Sequence, residues 1–259
     1  MEFDYIECGD CLELMKDLPD ECIDLTVTSP PYDNLRTYKG FSWDFEGVAR
    51  ELYRITKKGG VVVWIVADAT INGSETGTSF RQALYFKEIG FRLHDTMIWE
   101  KPSFTATGSL TVRYASVFEY MFVLSKGKPK TFNPIKDKKN KTAGVKKHGT
   151  IRKPDGSFKR KSSIGKETAE FGQRHNVWHI STTQSSVERT GHPAQCSEQL
   201  VNDHIISWSN EGDIVFDPFL GSGTTAKMAV VNNRHYIGFE IAEEYFEIAC
   251  KRLDEVERE

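Results

Sequence analysis

Hydrophobic and polar positions follow two rhythms along this chain. Tyr5–Cys8 is a short apolar run that ends at Gly9-Asp10, and Cys11–Leu18 has the spacing of a short helix stopped by Pro19. Ile23–Thr28 is rich in β-branched residues and ends at Ser29-Pro30-Pro31, where a strand must stop because proline cannot donate to a sheet. Phe45, Val48, Ala49, Leu52 and Ile55 then recur at helical spacing, which predicts a helix over Asp44–Ile55, ended by Lys57-Lys58-Gly59-Gly60. Val61–Val66 is apolar throughout, as in a strand buried on both faces. A helix at about Ser79–Ile89 closes at Gly90, and two strands follow at Phe91–Glu100 and Val117–Leu124.

The pattern changes over residues 126–190, which are rich in Lys, Gly, Ser and Thr, with sparse aromatics. Regular structure returns with an amphipathic helix over Ser197–Ser209, a strand over Asp213–Phe216, a helix over Ala226–Val231, a strand over His235–Glu240 and a final helix through Val256. Repeated strand–helix alternation predicts a mostly parallel α/β sheet with helices on both faces.

Composition fits a globular protein: 259 residues, of which 39% are hydrophobic and 27% charged. The longest apolar run, Val61–Ala67, is far short of the roughly 18 residues of a membrane span. The acidic N-terminus lacks the apolar stretch of a secretory signal, and five irregularly spaced cysteines make no disulfide framework. A cytoplasmic location without membrane contact is therefore expected. The net charge of −3 argues at first against nucleic acid. It is an average over unlike parts: Lys126–Arg174 holds 16 Lys/Arg against 4 Asp/Glu, a balance of +12, and the remainder carries −15.

Two segments carry candidate chemistry. At Asp217–Thr225 a strand ends in Asp-Pro, a loop carries Gly221 and Gly223, and a helix follows. That is the arrangement of a nucleotide-type cofactor site at the carboxyl end of a strand, although a glycine pair alone also fits an ordinary turn. It is neither Gly-x-Gly-x-x-Gly nor a P-loop, so NAD and ATP are disfavoured. Glu240 ends the next strand, where an acid can accept from ribose hydroxyls. The second segment is Thr28-Ser29-Pro30-Pro31-Tyr32. Two prolines remove two N–H donors, Ser29 adds an acceptor and Tyr32 a flat face, a combination that suits an exocyclic amine on a ring.

With these motifs in this order, the chain resembles the DNA amino-methyltransferases that use S-adenosylmethionine to modify cytosine N4 or adenine N6. Ser29-Pro-Pro-Tyr32 matches their catalytic motif, and Asp217-Pro218-Phe219-Leu-Gly221-Ser222-Gly223-Thr224 their cofactor loop. Gly191-His192-Pro193-Ala-Gln195 matches the segment that closes over the cofactor's methionine part. Glu240 matches the ribose-binding acid, and Gly9-Asp10, with Cys11 opening the next element, the position that contacts the cofactor adenine. The catalytic motif precedes the cofactor loop, which is the circularly permuted β-group order.

The resemblance implies a Rossmann-like class I methyltransferase fold. Its seven-stranded, mostly parallel sheet would have a catalytic half at 1–125, a target-recognition insert at 126–190 and a cofactor half at 191–259. It implies that Ser29 and the Pro30 carbonyl accept the amine hydrogens, that Tyr32 stacks on a flipped base, and that no metal takes part. The serine form is usual for cytosine N4, and Asp or Asn for adenine N6, so cytosine N4 is favoured. Carbon-5 chemistry would need a Pro-Cys pair, and the chain has none.

Double-stranded DNA is the implied partner. Lys138, Lys139, Lys146, Lys147, Arg152, Lys159, Arg160 and Lys161 are candidate phosphate contacts, joined by Arg36 in a loop after the catalytic motif. A second loop, Phe104–Arg113, is expected to face the same cleft. The resemblance also admits a homodimer and a partner restriction endonuclease. The rival readings are an RNA or protein-glutamine methyltransferase, which usually places the glycine loop first, and a silent DNA-binding module.

Overall fold

The computed structural model describes residues 2–32, 43–102, 111–182 and 196–256. Two compact units emerge: Met1–Asn133 with Asn176–Glu259, and Pro134–His175.

In the larger unit, β1 (Tyr5–Cys8) leads to α1 (Cys11–Met15), β2 (Ile23–Thr28), α2 (Phe45–Ile55) and β3 (Thr56–Val66). A small ribbon of β4 (Thr70–Ile71) and β5 (Ser74–Glu75) precedes α3 (Thr78–Glu88), then β6 (Arg92–Glu100) and β7 (Phe118–Ser125). The smaller unit holds β8 (Lys138–Lys139), β9 (Thr150–Arg152), β10 (Phe158–Arg160) and β11 (Phe171–Gly172). The chain then returns through β12 (Val177–His179), α4 (Glu198–Trp208), β13 (Ile214–Asp217), α5 (Thr224–Val231), β14 (His235–Glu240) and α6 (Glu243–Val256).

One sheet of order β1-β14-β13-β2-β3-β7-β6-β12 organises the larger unit. β7 runs antiparallel to both its neighbours, and every other adjacent pair is parallel. The sheet has eight strands where seven were expected. The extra one, β12, arises from the segment whose composition suggested no core strand, and it pairs with β6 through Val177, Trp178 and His179.

Burial on both faces explains the apolar strands. Val61, Val63 and Ile65 of β3 pack with Leu200, Val201 and Ile205 of α4 and with Ala226 and Ala229 of α5. Val62, Trp64 and Val66 point the other way, towards Val48, Ala49 and Leu52 of α2 and Ala83 and Phe86 of α3. No helix among the described residues is long and apolar enough to cross a membrane.

Local signals explain most boundaries. The Asp44 side chain accepts from the Gly47 backbone N–H at 3.1 Å and so starts α2. Gly90 follows α3 at φ +118°, against the Tyr53 ring. The expected stop at Lys57–Gly60 is wrong in its mechanism: α2 ends at Ile55 and those residues already belong to β3. Gly59 adopts φ +83°, and the Lys126 and Lys130 N–H groups donate to the Gly60 and Gly59 carbonyls, so the stretch pairs with the segment after β7 and does not cap the helix. The first helix is also shorter than Cys11–Leu18, ending at Met15.

Candidate active site

A pocket opens where β1, β2, β13 and β14 end. Its wall contains Gly9, Asp10 and Cys11 after β1, Thr28, Ser29 and Pro31 at the end of β2, Asp217 through Ser222 with Thr224 and Thr225 at the end of β13, and Glu240 through Ala242 at the end of β14. The parallel strands therefore gather at one edge the segments that the sequence separates by nearly 190 positions. Trp43, Phe219 and Tyr245 add aromatic faces, with Trp43 and Phe219 edge to face at 4.9 Å.

Each motif is held by specific bonds. Asp10 caps α1, accepting from the Leu12 N–H at 2.8 Å. Burial pushes the neighbouring Cys11 thiol up to about 12, so it stays protonated. Glu240 accepts from the Gly221 N–H at 2.7 Å through one oxygen and from the Ala242 N–H at 2.8 Å through the other. Burial raises its carboxyl above the usual range. Asp217 accepts from the Thr28 and Thr225 hydroxyls, both at 2.7 Å, and from the Phe219 N–H at 3.0 Å. Desolvation raises it to about 6.

The two loop glycines differ in place: Gly221 lines the pocket, and Gly223 faces α6. Gly223 adopts φ +81°, and a Cβ there would lie 2.9 Å from Ala249 Cβ on α6, so its requirement is helix packing. The loop is further secured by buried Arg252, which donates to the Ser222 carbonyl, contacts Thr224 Oγ1 at 3.2 Å and pairs with Glu198 at 2.7 Å.

The Ser29-Pro-Pro-Tyr32 segment forms a hydrogen-bonded run. Ser29 Oγ lies 2.7 Å from Tyr32 Oη, which donates to Glu119 Oε2 at 2.9 Å. The other Glu119 oxygen pairs with Lys101. Burial and the nearby Glu119 carboxylate raise the Tyr32 phenol well above its ordinary value, so it remains protonated. Pro30 is buried.

Sequence reasoning missed Glu119, Lys101 and Trp43. Glu119 had a signal: it is the one acid in the apolar run Phe118–Leu124. Cys196 also lines the pocket, and burial pushes its thiol up to about 12. Arg36, His192, Pro193 and most of the 104–113 loop lie outside the described residues.

The smaller unit consists of two antiparallel ribbons, β9 with β10 and β8 with β11. The first turns at Pro154-Asp155-Gly156, where Asp155 accepts from the Ser157 N–H at 2.9 Å. Lys138, Lys139, Lys146, Lys147, Arg152, Lys159, Arg160 and Lys161 are all exposed on it. Thirteen Lys/Arg against four Asp/Glu give this unit +9.

Comparisons with known proteins agree on one family. Residues 23–251 match the N6_N4_Mtase model, described as DNA methylase. The orphan methyltransferase M.BamHII of Bacillus amyloliquefaciens is 58% identical over 248 residues, which cover 92% of each chain. The DNA adenine methyltransferase YhdJ of Escherichia coli (strain K12) is 29% identical, over 95% of this chain and 81% of its own. Among solved structures, the cytosine-N4-specific PvuII DNA methyltransferase aligns with a TM-score of 0.73 at 22% identity, over 100% of this chain and 91% of its own. M1.HpyAVI in complex with SAM aligns with a TM-score of 0.66 at 25% identity, over 96% and 98%.

Proposed function

Since the chain belongs to the N6_N4_Mtase family of DNA methylases, we propose that its target is cytosine N4 in duplex DNA, with adenine N6 as the alternative. The coarser activity is that of a DNA methyltransferase that uses S-adenosylmethionine, on the class I methyltransferase fold. The observation that carries the finer reading is Ser29, a hydroxyl acceptor at the pocket wall where adenine enzymes of this family usually have Asp or Asn.

The pocket's chemistry fits the cofactor. Glu240 spends two of its roughly four lone-pair sites on backbone N–H groups, leaving others for ribose hydroxyls. Trp43, Phe219 and Tyr245 offer apolar faces for a nucleoside, with Asp10 at the rim. The buried Asp217 carboxyl is favoured in its charged form by any cation brought near it. When bound, S-adenosylmethionine supplies a methyl group activated by a sulfonium.

A base amine is a poor nucleophile because its lone pair is delocalised into the ring. Ser29 Oγ and the Pro30 carbonyl accept its two hydrogens, which favours a pyramidal nitrogen and aims the freed lone pair. One N–C bond forms as the methyl–sulfur bond breaks, the sulfur keeps the bonding pair as a neutral thioether, and the alkylated amine releases one proton to water; positioning supplies most of the rate enhancement. Tyr32 offers its ring to the base while its hydroxyl is fixed by Ser29 and Glu119. The base must leave the duplex to reach this wall, at an unstacking cost of a few kcal/mol.

The basic ribbons of 134–175 serve as the phosphate-binding part of a target-recognition region. The 58% identical relative is named an orphan, which favours an enzyme without a companion endonuclease. Mass spectrometry of nucleosides from DNA methylated by the enzyme tests the base assignment: N4-methylcytosine supports it, and N6-methyladenine as the sole product refutes it.

A further inference from the structure

Four side chains in series end on the Ser29 hydroxyl, and counting protons fixes the direction of every bond between them. Lys101 is only a donor, and the Glu119 carboxylate paired with it has only lone pairs to offer. The Tyr32 hydroxyl has one proton, which goes to Glu119 Oε2 at 2.9 Å. The Tyr32 oxygen can then only accept at its 2.7 Å contact with Ser29. Ser29 must spend its single proton there. Only lone pairs are left on an oxygen whose residue lines the pocket.

The contrast with an unrestrained serine matters. A free hydroxyl rotates and offers its proton as readily as its lone pairs. A proton aimed at the pocket would oppose the N–H groups of an amine. The relay removes that choice. Its far end is well anchored: Glu119 is buried, and Lys101 Nζ also lies 5.0 Å from the centre of the Trp99 ring.

We propose that Glu119, held by Lys101, is a positioning residue that acts through Tyr32 to make Ser29 an obligate acceptor for the target amine. The inference rests on the role of Ser29 proposed above. Neither Glu119 nor Lys101 touches the reacting atoms in this account. Both act by fixing which way two hydroxyl protons point. Glu119→Gln preserves shape but introduces an amide that can donate to Tyr32. That reverses the relay and turns the Ser29 proton towards the pocket.

The test is a double-mutant cycle on the full chain, using transfer of labelled methyl from S-adenosylmethionine to unmethylated genomic DNA. Glu119→Gln is expected to lower kcat by about 10- to 100-fold, in the range of a lost positioning interaction, while KM for S-adenosylmethionine stays within about twofold. In a Tyr32→Phe background, where the relay is already cut, the same change should cost less than about twofold. Lys101→Met, which leaves Glu119 in place, should lower kcat with KM again unchanged. Wild-type kcat in Glu119→Gln, or an equal fold-loss in both backgrounds, would overturn the proposal. Ser29→Ala separates the two levels. Wild-type activity there defeats the reading of Ser29 itself, whereas a slow Ser29→Ala enzyme with an additive cycle defeats only the relay.

Discussion

The Thr28 hydroxyl donates to Asp217 Oδ1 at 2.7 Å across 189 positions of sequence, in a fully buried contact. It joins the end of β2, where the Ser29-Pro-Pro-Tyr32 segment begins, to the end of β13, where the Gly221–Gly223 loop begins. The two halves of the site thus meet through one carboxylate, which also holds Thr225 and the start of the loop.

That carboxylate makes stability depend on pH. Its folded value of about 6 lies above the 3.8 of an exposed aspartate, because burial disfavours the charged form. The folded state therefore binds the proton more tightly than the unfolded one. The contribution is fully present below the unfolded value and is lost as pH rises through about 6. At roughly 1.4 kcal/mol per pH unit of displacement, about 3 kcal/mol is at stake between pH 4 and pH 7. Asp217→Asn cannot ionise, so its stability relative to wild type should improve by that order over this range. Denaturant unfolding of both proteins at several pH values checks it, and parallel profiles would refute the assignment.

Gly223→Ala should destabilise the fold by about 1–3 kcal/mol, from left-handed strain and overpacking together. The new methyl would press on Ala249 of α6, with α5 displaced as a result. Calorimetry should show a lower Tm, and cofactor affinity should fall with it because the same loop lines the pocket. An unchanged Tm would mean that the loop relaxes freely.

Replacing Lys159, Arg160 and Lys161 with Ala removes three exposed cations from β10 and the residue after it. DNA binding should weaken, and the slope of log K against log salt should become shallower by up to about 3. S-adenosylmethionine affinity should not change. Titrations at several salt concentrations decide this, and an identical slope would make the cluster a bystander.

Much of this was legible in the sequence because it depends on local signals. The two-faced burial of β3 was evident in the unbroken run Val61–Val66, and α2 in the spacing of Val48, Leu52 and Ile55. Ser29, Asp217, Gly221 and Glu240 were found as separate motifs, and the parallel sheet places them on one pocket wall. What stayed hidden depends on pairing between distant segments. β12 is only three residues long, too short for periodicity to register, and exists because β6 offers it an edge. Lys101 and Glu119 are ordinary charged residues until β6 and β7 pair antiparallel and bring their ends beside Tyr32. Gly223 was recognisable as necessary, but its reason lay in α6, about 25 positions further on.

The central claim is that Ser29 presents an acceptor to the amine of a flipped cytosine in DNA. Its most direct test is nucleoside mass spectrometry on unmethylated DNA treated with the wild-type protein and S-adenosylmethionine, beside a Ser29→Ala control. N4-methylcytosine from the wild type, lost in the control, is the predicted result. N6-methyladenine alone, or full methylation by Ser29→Ala, would contradict it.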